Sequence, residues 1–232
     1  MASPVLVPLT KWYLRKERSY SNADITVRVR PGVFHPGLFS STEFLGEYLK
    51  GINVRDKTFL ELGCGTGFLS IAAARRGAKV TASDLSSSAV ENTKLNAARN
   101  GVSIRVIHSD LFTSIPPGTF DVIAINPPYY ARNPENESEL AWHCGENFEY
   151  FYRLLAQLRV YMHGDTTVLM VLTLGCNLEE IFSIAKASGF EFELLKEKRV
   201  LFDERDFLYR IIGSPYSDRN DLTGSANPVF TV

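Results

Sequence analysis

The chain alternates between short apolar runs and amphipathic stretches along most of its 232 residues. The apolar runs predict strands at 57–62, 79–84, 104–108, 120–125, 167–172, 190–195 and 205–212. Apolar residues at helical spacing predict helices at 43–51, 68–75, 87–99, 148–161 and 178–188. Alternating strands and helices are typical of a parallel sheet with helices on both faces. Because the last two strands follow each other directly, we predict an α/β fold with a seven-stranded, mostly parallel sheet and one antiparallel strand.

The strand predicted at 120–125 stops abruptly at Asn126-Pro127-Pro128-Tyr129. Each proline lacks a backbone donor and fixes its own φ, so the sheet cannot continue through this turn. In an open α/β sheet, ligands bind beyond the carboxyl ends of the strands. A polar side chain, a rigid turn and an aromatic ring at such an end predict a substrate clamp, although an isolated Asn-Pro turn more often just closes a buried strand.

A glycine turn, Gly-Cys-Gly-Thr-Gly at 63–67, joins the strand at 57–62 to the helix at 68–75. A strand, a glycine turn and a helix bring backbone N–H groups and a helix N-terminus close to a ligand. Dinucleotide enzymes prefer Gly-x-Gly-x-x-Gly, but here the third glycine comes one residue early and Phe68 replaces the expected glycine. This difference disfavours a pyrophosphate and suits a nucleoside that carries an amino-acid tail.

Together, the two motifs resemble those of class I S-adenosylmethionine-dependent methyltransferases, within the branch that carries Asn-Pro-Pro-Tyr. That branch includes the HemK-type protein glutamine N5-methyltransferases and small nucleic-acid N-methyltransferases. The resemblance covers roughly 33–212 and implies a Rossmann-like fold, S-adenosylmethionine as the cofactor and a planar amide or amine nitrogen as the acceptor. The compact architecture, with only a short N-terminal extension, resembles that of the short eukaryotic-type glutamine methyltransferases or of small RNA base methyltransferases.

The resemblance also implies which residues contact the cofactor. Glu61 would order the glycine loop and the methionine amino end, and Asp110 would accept the adenine amine with Leu111 against the ring. Phe34 and Thr42, with Pro36, would line the mouth of the site. The full predicted cofactor set is Phe34, Thr42, Glu61, Gly63, Cys64, Gly65, Gly67, Asp84, Leu85, Asp110, Leu111 and Asn126.

Asp84 ends the strand at 79–84, about 20 residues after the first glycine, where a carboxylate can accept both ribose hydroxyls. The alternative is a cap for the helix at 87–99. Serines at 86–88 already offer caps, and Ser88 with Glu91 fits a capping box. We therefore predict that Asp84 binds the ligand.

The Asn-Pro-Pro-Tyr turn also suggests how a poor nucleophile is activated. Methyl transfer from a sulfonium is an in-line displacement, so the enzyme must align the nitrogen, the methyl carbon and the sulfur. The Asn126 side-chain oxygen and the Pro127 carbonyl can each accept one N–H, which orients the lone pair and stabilises the developing positive charge. Tyr129 can lie against a planar group. The predicted catalytic residues are Asn126, Pro127, Pro128 and Tyr129.

Composition excludes several classes of protein. Lys and Arg number 25 against 26 for Asp and Glu, so no global charge attracts a polyanion. The three cysteines are odd in number and widely spaced, which predicts neither a disulfide framework nor a zinc site, and no other metal site is predicted. No apolar run is long enough to span a bilayer, so we expect no membrane partner and a reducing, cytoplasmic setting. The sequence does not indicate an oligomeric state.

The N-terminal segment, 1–21, mixes basic and aromatic residues, a combination that can bind a nucleic-acid strand. The favoured alternative is an amphipathic helix that docks Trp12 and Leu14 on the domain. Strict alternation at 25–30 predicts a half-buried strand. We predict an N-terminal extension with a short strand at 1–30, a methyltransferase catalytic domain at 31–213, and a peripheral or disordered tail at 214–232. His35 is a tempting base, but an exposed loop histidine is more often a bystander.

The segment 130–148 is long, polar and acidic, with four glutamates against Arg132. Loops of this length are usually functional or disordered. An acidic lid beside the site would repel a phosphate backbone, which favours a protein substrate. His143 and Cys144 lie in this segment, but nothing nearby completes a metal site or a nucleophile.

These patterns favour an N-methyltransferase that acts on a protein glutamine side chain. The alternative with the same chemistry is an RNA or DNA base, which the basic and aromatic N-terminus favours. A nicotinamide-dependent oxidoreductase is disfavoured by Phe68 and by the lack of a convincing acid at a hydride site. A non-catalytic binding module is disfavoured by the intact clamp at Asn126.

Overall fold

The computed structural model describes residues 13–199 and 205–213. The strands within these residues are β1 (Arg18–Asn22), β2 (Ile25–Val29), β3 (Thr58–Leu62), β4 (Lys79–Asp84), β5 (Arg105–His108), β6 (Val122–Ile125), β7 (Thr167–Thr173), β8 (Phe190–Arg199) and β9 (Arg205–Gly213). The helices are α1 (Ser40–Leu49), α2 (Phe68–Arg75), α3 (Ser87–Arg99), α4 (Glu149–Leu158) and α5 (Leu178–Ala187). One-turn 3₁₀ helices lie at Glu137–Glu139 and Arg159–Tyr161.

Strands β3 to β9 form a seven-stranded sheet in the order β5-β4-β3-β6-β7-β9-β8. The first five strands in this order pair in parallel, and β9 is antiparallel to both β7 and β8. This confirms the predicted Rossmann-like sheet with one antiparallel strand. Strand β3 lies between β4 and β6, so the chain changes direction across the sheet at β3, where ligands bind in folds of this kind.

Helices cover both faces of the sheet, and the two faces form separate apolar clusters. In β6, Ile123 and Ile125 belong to the cluster under α4 and α5, whereas Val122 and Ala124 belong to the cluster under α1 and α2. All four residues are buried because successive side chains of a strand point to opposite faces. A strand covered on both sides reads as a continuous apolar run, which explains the pattern in the sequence.

A two-stranded hairpin, β1 and β2, packs beside the sheet. Strand β2 alternates between buried and exposed residues, as predicted. Two asparagines of α3 fix the hairpin in place. Asn92 accepts a hydrogen bond from the Arg30 N–H, and Asn96 accepts one from the Arg28 N–H. Both side chains also donate to the Arg28 carbonyl. The helix predicted for the N-terminal segment 1–21 is wrong over 18–21, where β1 pairs with β2, and Trp12 lies outside the described residues.

The predicted capping box at the start of α3 is also corrected. Ser86, rather than Ser88, is the N-cap residue, and its hydroxyl accepts a hydrogen bond from the Ala89 N–H over 3.2 Å. The capping residue therefore lies two positions before the predicted one, whereas the helix itself begins at Ser87 as predicted. Across the described part of the chain, every helix is too short or too polar to cross a membrane.

Candidate active site

A cavity of about 430 Å³ opens beyond the carboxyl ends of the central strands. It has the size of a site for a cofactor or small ligand. The residues predicted to bind a cofactor or to act in catalysis line its wall, with the exception of Gly67. The lining set is Phe34, Thr42, Glu61, Gly63, Cys64, Gly65, Asp84, Leu85, Asp110, Leu111, Asn126, Pro127, Pro128 and Tyr129.

The glycine turn after β3 is held tightly against the end of β4. The N–H groups of Gly63 and Cys64 both donate to the Ser83 carbonyl over 2.9 Å. Gly67 has a φ of 75°, and a Cβ at this position would lie 2.6 Å from Cγ2 of Thr93. Gly67 is the N-cap residue of α2 and packs away from the cavity wall, so we assign it to the shape of the loop rather than to the cofactor contact.

Asp84 joins this turn to the start of α3. Its Oδ2 accepts a hydrogen bond from the Gly65 N–H over 2.8 Å, and its Oδ1 accepts one from the Ser86 N–H over 2.9 Å. Burial raises the pKa of Asp84, although these N–H donors act against the rise. The carboxylate thus orders both loops and still faces the cavity, where its remaining lone pairs can accept hydroxyl groups.

Glu61 is the most deeply placed acid of the site, with 5% of its surface exposed. Its Oε2 accepts hydrogen bonds from the N–H of Ser70, over 2.8 Å, and from the Ser70 hydroxyl. Burial raises the pKa of Glu61 to about 8 in spite of these bonds, and the nearby charge of Asp84 adds to the rise. A buried carboxylate of this kind is stabilised by an approaching cation, as an amino-acid ammonium would be.

Asp110 and Leu111 lie after β5 and also line the cavity. Leu111 has a φ of 49°, an unusual conformation for leucine, and its carbonyl accepts a hydrogen bond from the Ser109 hydroxyl over 2.8 Å. Asp110 Oδ2 accepts a hydrogen bond from Arg153 Nη2 over 2.5 Å. Any amine that binds Asp110 therefore shares the carboxylate with an arginine.

Arg153 belongs to a set of α4 residues that the sequence analysis did not assign to the site. Glu149, Tyr150 and Arg153 line the cavity, while the apolar face of the same helix packs on the sheet. Burial raises the pKa of Tyr150 well above its usual range. Glu149 and Tyr150 precede Arg153 by four and three residues, a helical spacing that could have indicated a second functional face.

The turn after β6 carries the predicted catalytic residues. Asn126 Nδ2 donates to Ser41 Oγ over 3.1 Å and to Thr42 Oγ1 over 3.2 Å. The side chain of Tyr129 is hydrogen-bonded to Thr173 at the end of β7, and burial raises its pKa well above the usual range. Asn126 and Tyr129 therefore each have a fixed partner and present a polar and an aromatic group to the cavity.

The acidic segment 130–148 is a loop with one 3₁₀ turn, and part of it lines the cavity. The N–H groups of Tyr129 and Tyr130 both donate to the Trp142 carbonyl, over 3.2 and 2.9 Å. The Trp142 ring packs on Phe34 and Phe39 with centroid distances of 5.1 and 4.6 Å. The loop thus joins the Asn-Pro-Pro-Tyr turn to the segment that precedes α1.

The loop is also attached to α3 through Glu137. Its Oε1 accepts hydrogen bonds from the hydroxyls of Ser86, over 2.8 Å, and Ser87, over 3.3 Å. These bonds lower the pKa of Glu137, with the Ser86 hydroxyl making the largest contribution. His143 and Cys144 line the cavity, but the residues that the structure describes contain no cluster of side chains able to hold a metal ion.

His35 is buried rather than exposed, which corrects the expectation for this loop histidine. It is 5% exposed, its Nδ1 accepts a hydrogen bond from the Gly37 N–H over 3.1 Å, and its ring packs on Tyr20 with a centroid distance of 5.8 Å. It does not line the cavity, although its neighbours Phe34 and Pro36 do. Its place is in the packing between the hairpin and the domain.

The profile of the family described as methyltransferase small domain matches residues 24–144, slightly more than half of the chain. A proposed protein N5-glutamine methyltransferase of Methanocaldococcus jannaschii is 32% identical over 177 residues, which cover 73% of this chain and 89% of the relative. The chain belongs to the methyltransferase small domain family. It is a class I enzyme, an S-adenosylmethionine-dependent N-methyltransferase, rather than a nicotinamide-dependent oxidoreductase.

Two solved structures show the same fold. The 16S rRNA N2 G1207 methyltransferase RsmC of T. thermophilus, in complex with AdoMet and guanosine, is 20% identical with a TM-score of 0.60, over 84% of this chain and 50% of that chain. A chain of the E. cuniculi Mtq2–Trm112 complex, responsible for methylation of the termination factor eRF1, is 20% identical with a TM-score of 0.60, over 79% of this chain and 99% of that chain.

The geometry of this family member's cavity fits its cofactor. The buried Glu61 carboxylate, with its raised pKa, matches an ammonium, and Asp84 offers acceptors for ribose hydroxyls. Gly63 and Gly65 have φ values of 78° and 52°, a conformation that favours glycine. Apart from its neighbours in the chain, a Cβ at either position would meet its nearest atom at 3.9 Å. The absence of a side chain there therefore leaves open space on the cavity side and does not reflect tight packing within the protein.

Proposed function

We propose that this enzyme transfers a methyl group to the side-chain amide nitrogen of a glutamine in a protein. The observation that carries the proposal is the orientation of Asn126, whose Nδ2 is bound by two hydroxyl groups of α1. Its Oδ1 is thereby directed to the cavity, where it can accept an N–H from a planar nitrogen. The similarity to the proposed glutamine methyltransferase of M. jannaschii, which extends over most of both chains, supports the same acceptor.

When bound, S-adenosylmethionine supplies a methyl group that is made electrophilic by the sulfonium. Glu61, Asp84 and Asp110 would hold its ammonium, ribose and adenine groups. The Asn126 side-chain oxygen and the Pro127 carbonyl would accept the two N–H groups of the substrate amide, which orients the nitrogen lone pair and stabilises the positive charge as it develops. The Tyr129 ring would lie against the amide plane.

The acidic loop that partly lines the cavity supports a protein rather than a nucleic acid as the substrate. Glu135, Glu137 and Glu146 are exposed on this loop, and their charge disfavours a phosphate backbone beside the site. The E. cuniculi complex, one chain of which resembles this chain over 99% of its own length, is responsible for methylation of a translation termination factor. A termination factor is therefore the first protein to test as the acceptor.

An RNA base is the second candidate acceptor. The similarity of fold to a ribosomal RNA methyltransferase and the exposed basic residues Arg15 and Lys16 favour it. Arg18 is less suited to a phosphate contact, since its guanidinium lies 3.8 Å from the Tyr13 ring centroid and its Nε donates to the Tyr13 carbonyl.

Transfer of a labelled methyl group into a cell extract tests the proposal. The extract is incubated with enzyme and labelled S-adenosylmethionine, and halves are treated with nuclease or with protease. We expect label that survives nuclease, is lost with protease and is recovered as methylglutamine. Label lost with nuclease would contradict the proposal and establish the nucleic-acid acceptor. The Asn126→Ala variant, with cofactor binding retained, provides the inactive control.

A further inference from the structure

The first turn of α1 carries three consecutive hydroxyl residues, Ser40, Ser41 and Thr42. The helix follows Phe39, an extended residue without a side-chain cap. Ser41 and Thr42 are 3% and 7% exposed, so their hydroxyl groups require partners inside the protein. Both hydroxyls meet Asn126, directly after β6, and this places α1 in direct contact with the Asn-Pro-Pro-Tyr turn.

Helix α1 contacts the Asn-Pro-Pro-Tyr turn through the nitrogen end of the Asn126 side-chain amide. Asn126 Nδ2 has two hydrogens, and Ser41 Oγ and Thr42 Oγ1 accept one each, over 3.1 and 3.2 Å. With both hydrogens taken by α1, the Oδ1 atom at the other end of the amide points away from the helix. In this arrangement the two hydroxyls hold the Nδ2 end of the amide against the helix and leave the Oδ1 end to face the cavity.

The same turn is anchored on its other side. Ser40 Oγ donates a hydrogen bond to Oδ2 of Asp206, which is 3% exposed on β9. Asp206 pairs with Thr173 across the β7–β9 ladder, and Thr173 is the partner of the Tyr129 side chain. A carboxylate at the N-terminus of a helix is also stabilised by the helix dipole. The first turn of α1 is thus fixed to the two strands, β6 and β9, that flank β7.

We propose that Ser41 and Thr42 are positioning residues for methyl transfer, which hold Asn126 so that its Oδ1, and not its Nδ2, meets the substrate nitrogen. The proposal rests on the proposed role of Asn126 as an acceptor. If the amide rotated by half a turn, Nδ2 would present donors to an N–H donor and transfer would slow. Ser41 and Thr42 act through Asn126, so they affect the rate of transfer more than the affinity for the cofactor.

Ser41→Ala is the cleanest variant because Ser41 lies behind the cavity wall, whereas Thr42 also lines the cavity. Thr42→Val removes the second acceptor at nearly constant volume, and Thr42→Ser retains it. Ser188→Ala, at the end of α5 on a distant part of the chain, is the matched control.

The side-chain amide signal of Asn126 in protein labelled with ¹⁵N-asparagine gives a readout that does not depend on activity. It is assigned by its loss in Asn126→Ser. We expect slow hydrogen exchange of the Nδ2 protons and an NOE to the Thr42 methyl group in the wild type, and at least tenfold faster exchange in Ser41→Ala with Thr42→Val. Exchange as fast as that of an exposed asparagine in the wild type would overturn the proposal.

The rate of labelled methyl incorporation into a nuclease-treated protein extract gives the second readout. At saturating S-adenosylmethionine, each single loss of a hydroxyl should lower the rate about tenfold, and Thr42→Ser should restore it. The dissociation constant for S-adenosylmethionine should change less than twofold in Ser41→Ala. An unchanged transfer rate in the variant that combines Ser41→Ala with Thr42→Val would overturn the positioning role. A loss of cofactor affinity in Ser41→Ala as large as its loss of transfer rate would also overturn it. If the wild type labels no protein, the proposed function fails, while the amide signal still decides the orientation of Asn126.

Discussion

Glu137 of the acidic loop accepts a hydrogen bond from the hydroxyl of Ser86, the same hydroxyl that caps α3. The bond joins the loop that partly lines the cavity to the loop that carries Asp84. Because Ser86 also donates its N–H to Asp84, opening the loop changes the surroundings of a predicted cofactor contact.

We predict that Glu137→Ala loosens the loop and speeds the release of S-adenosylmethionine. The bond to Ser86 is partly exposed to water, so a change of a few-fold in the dissociation rate is expected. Stopped-flow fluorescence of Trp142, which packs in the same loop, would follow the release. Glu135→Ala removes another exposed acid of the loop and is the control for charge. Equal rates in both variants would show that Glu137 does not hold the loop closed.

We predict that Glu61 makes the cofactor-free protein less stable as pH rises. The folded state keeps Glu61 protonated up to about pH 8, whereas the unfolded state loses this proton in the normal range near 4.5. The folded state thus binds more protons between these two values, and the free energy of unfolding falls as pH increases.

Glu61→Gln remains neutral and should be more stable than the wild type by a few kcal/mol at about pH 8, with no gain near pH 4. Urea unfolding at several pH values measures the difference. S-adenosylmethionine should reduce the advantage of the variant because its ammonium stabilises the ionised carboxylate. A difference in stability that did not vary with pH would contradict the raised pKa.

We predict that Gly67→Ala is strongly destabilising through a steric clash. The new Cβ would lie 2.6 Å from Thr93 Cγ2, in a residue whose φ is already positive. Gly101→Ala is a matched control, since its φ is 66° and no atom lies within 4 Å of the new Cβ. A non-glycine residue at a positive φ costs about 1 kcal/mol in both variants. Thermal unfolding should therefore show a distinctly larger loss of stability for Gly67→Ala than for Gly101→Ala. Equal losses would mean that the clash is relieved by movement of Thr93.

We predict that Asp84→Asn weakens cofactor binding much more than Asp110→Asn does. An amide at position 84 would direct one NH₂ at a backbone N–H, either that of Gly65 or that of Ser86, and the glycine loop would lose its anchor. Asp110 is half-exposed and pairs with the half-exposed Arg153, a pair that contributes little to stability. Calorimetric titration with S-adenosylmethionine should show a loss of about tenfold or more for Asp84→Asn. A larger effect from Asp110→Asn would reverse the assigned importance of the two acids.

Much of the fold followed from local patterns because its central strands are buried on both faces. Strand β4 and helices α2 and α3 have the predicted bounds, and the remaining elements of the main sheet differ at their ends. The hairpin strand β1 was missed because its residues, RSYSN, are polar apart from Tyr20 and show no apolar alternation. The hydroxyl of Tyr20 bonds to Glu43, a tertiary contact that the sequence does not indicate. The same holds for Ser86, whose role as a cap depends on where the loop after Asp84 turns.

The sequence by itself determined the strands, the glycine turn, the Asn-Pro-Pro-Tyr turn and the acids that follow the strands, since each depends on neighbours in the chain. Only the tertiary structure decided how these parts act on each other. Asn126 meets Thr42 across 84 residues, Arg153 meets Asp110 across 43, and Glu137 meets Ser86 across 51. Such hydrogen bonds depend on the register of the sheet and on helix packing, which bring distant residues together and have no periodic signal in the sequence.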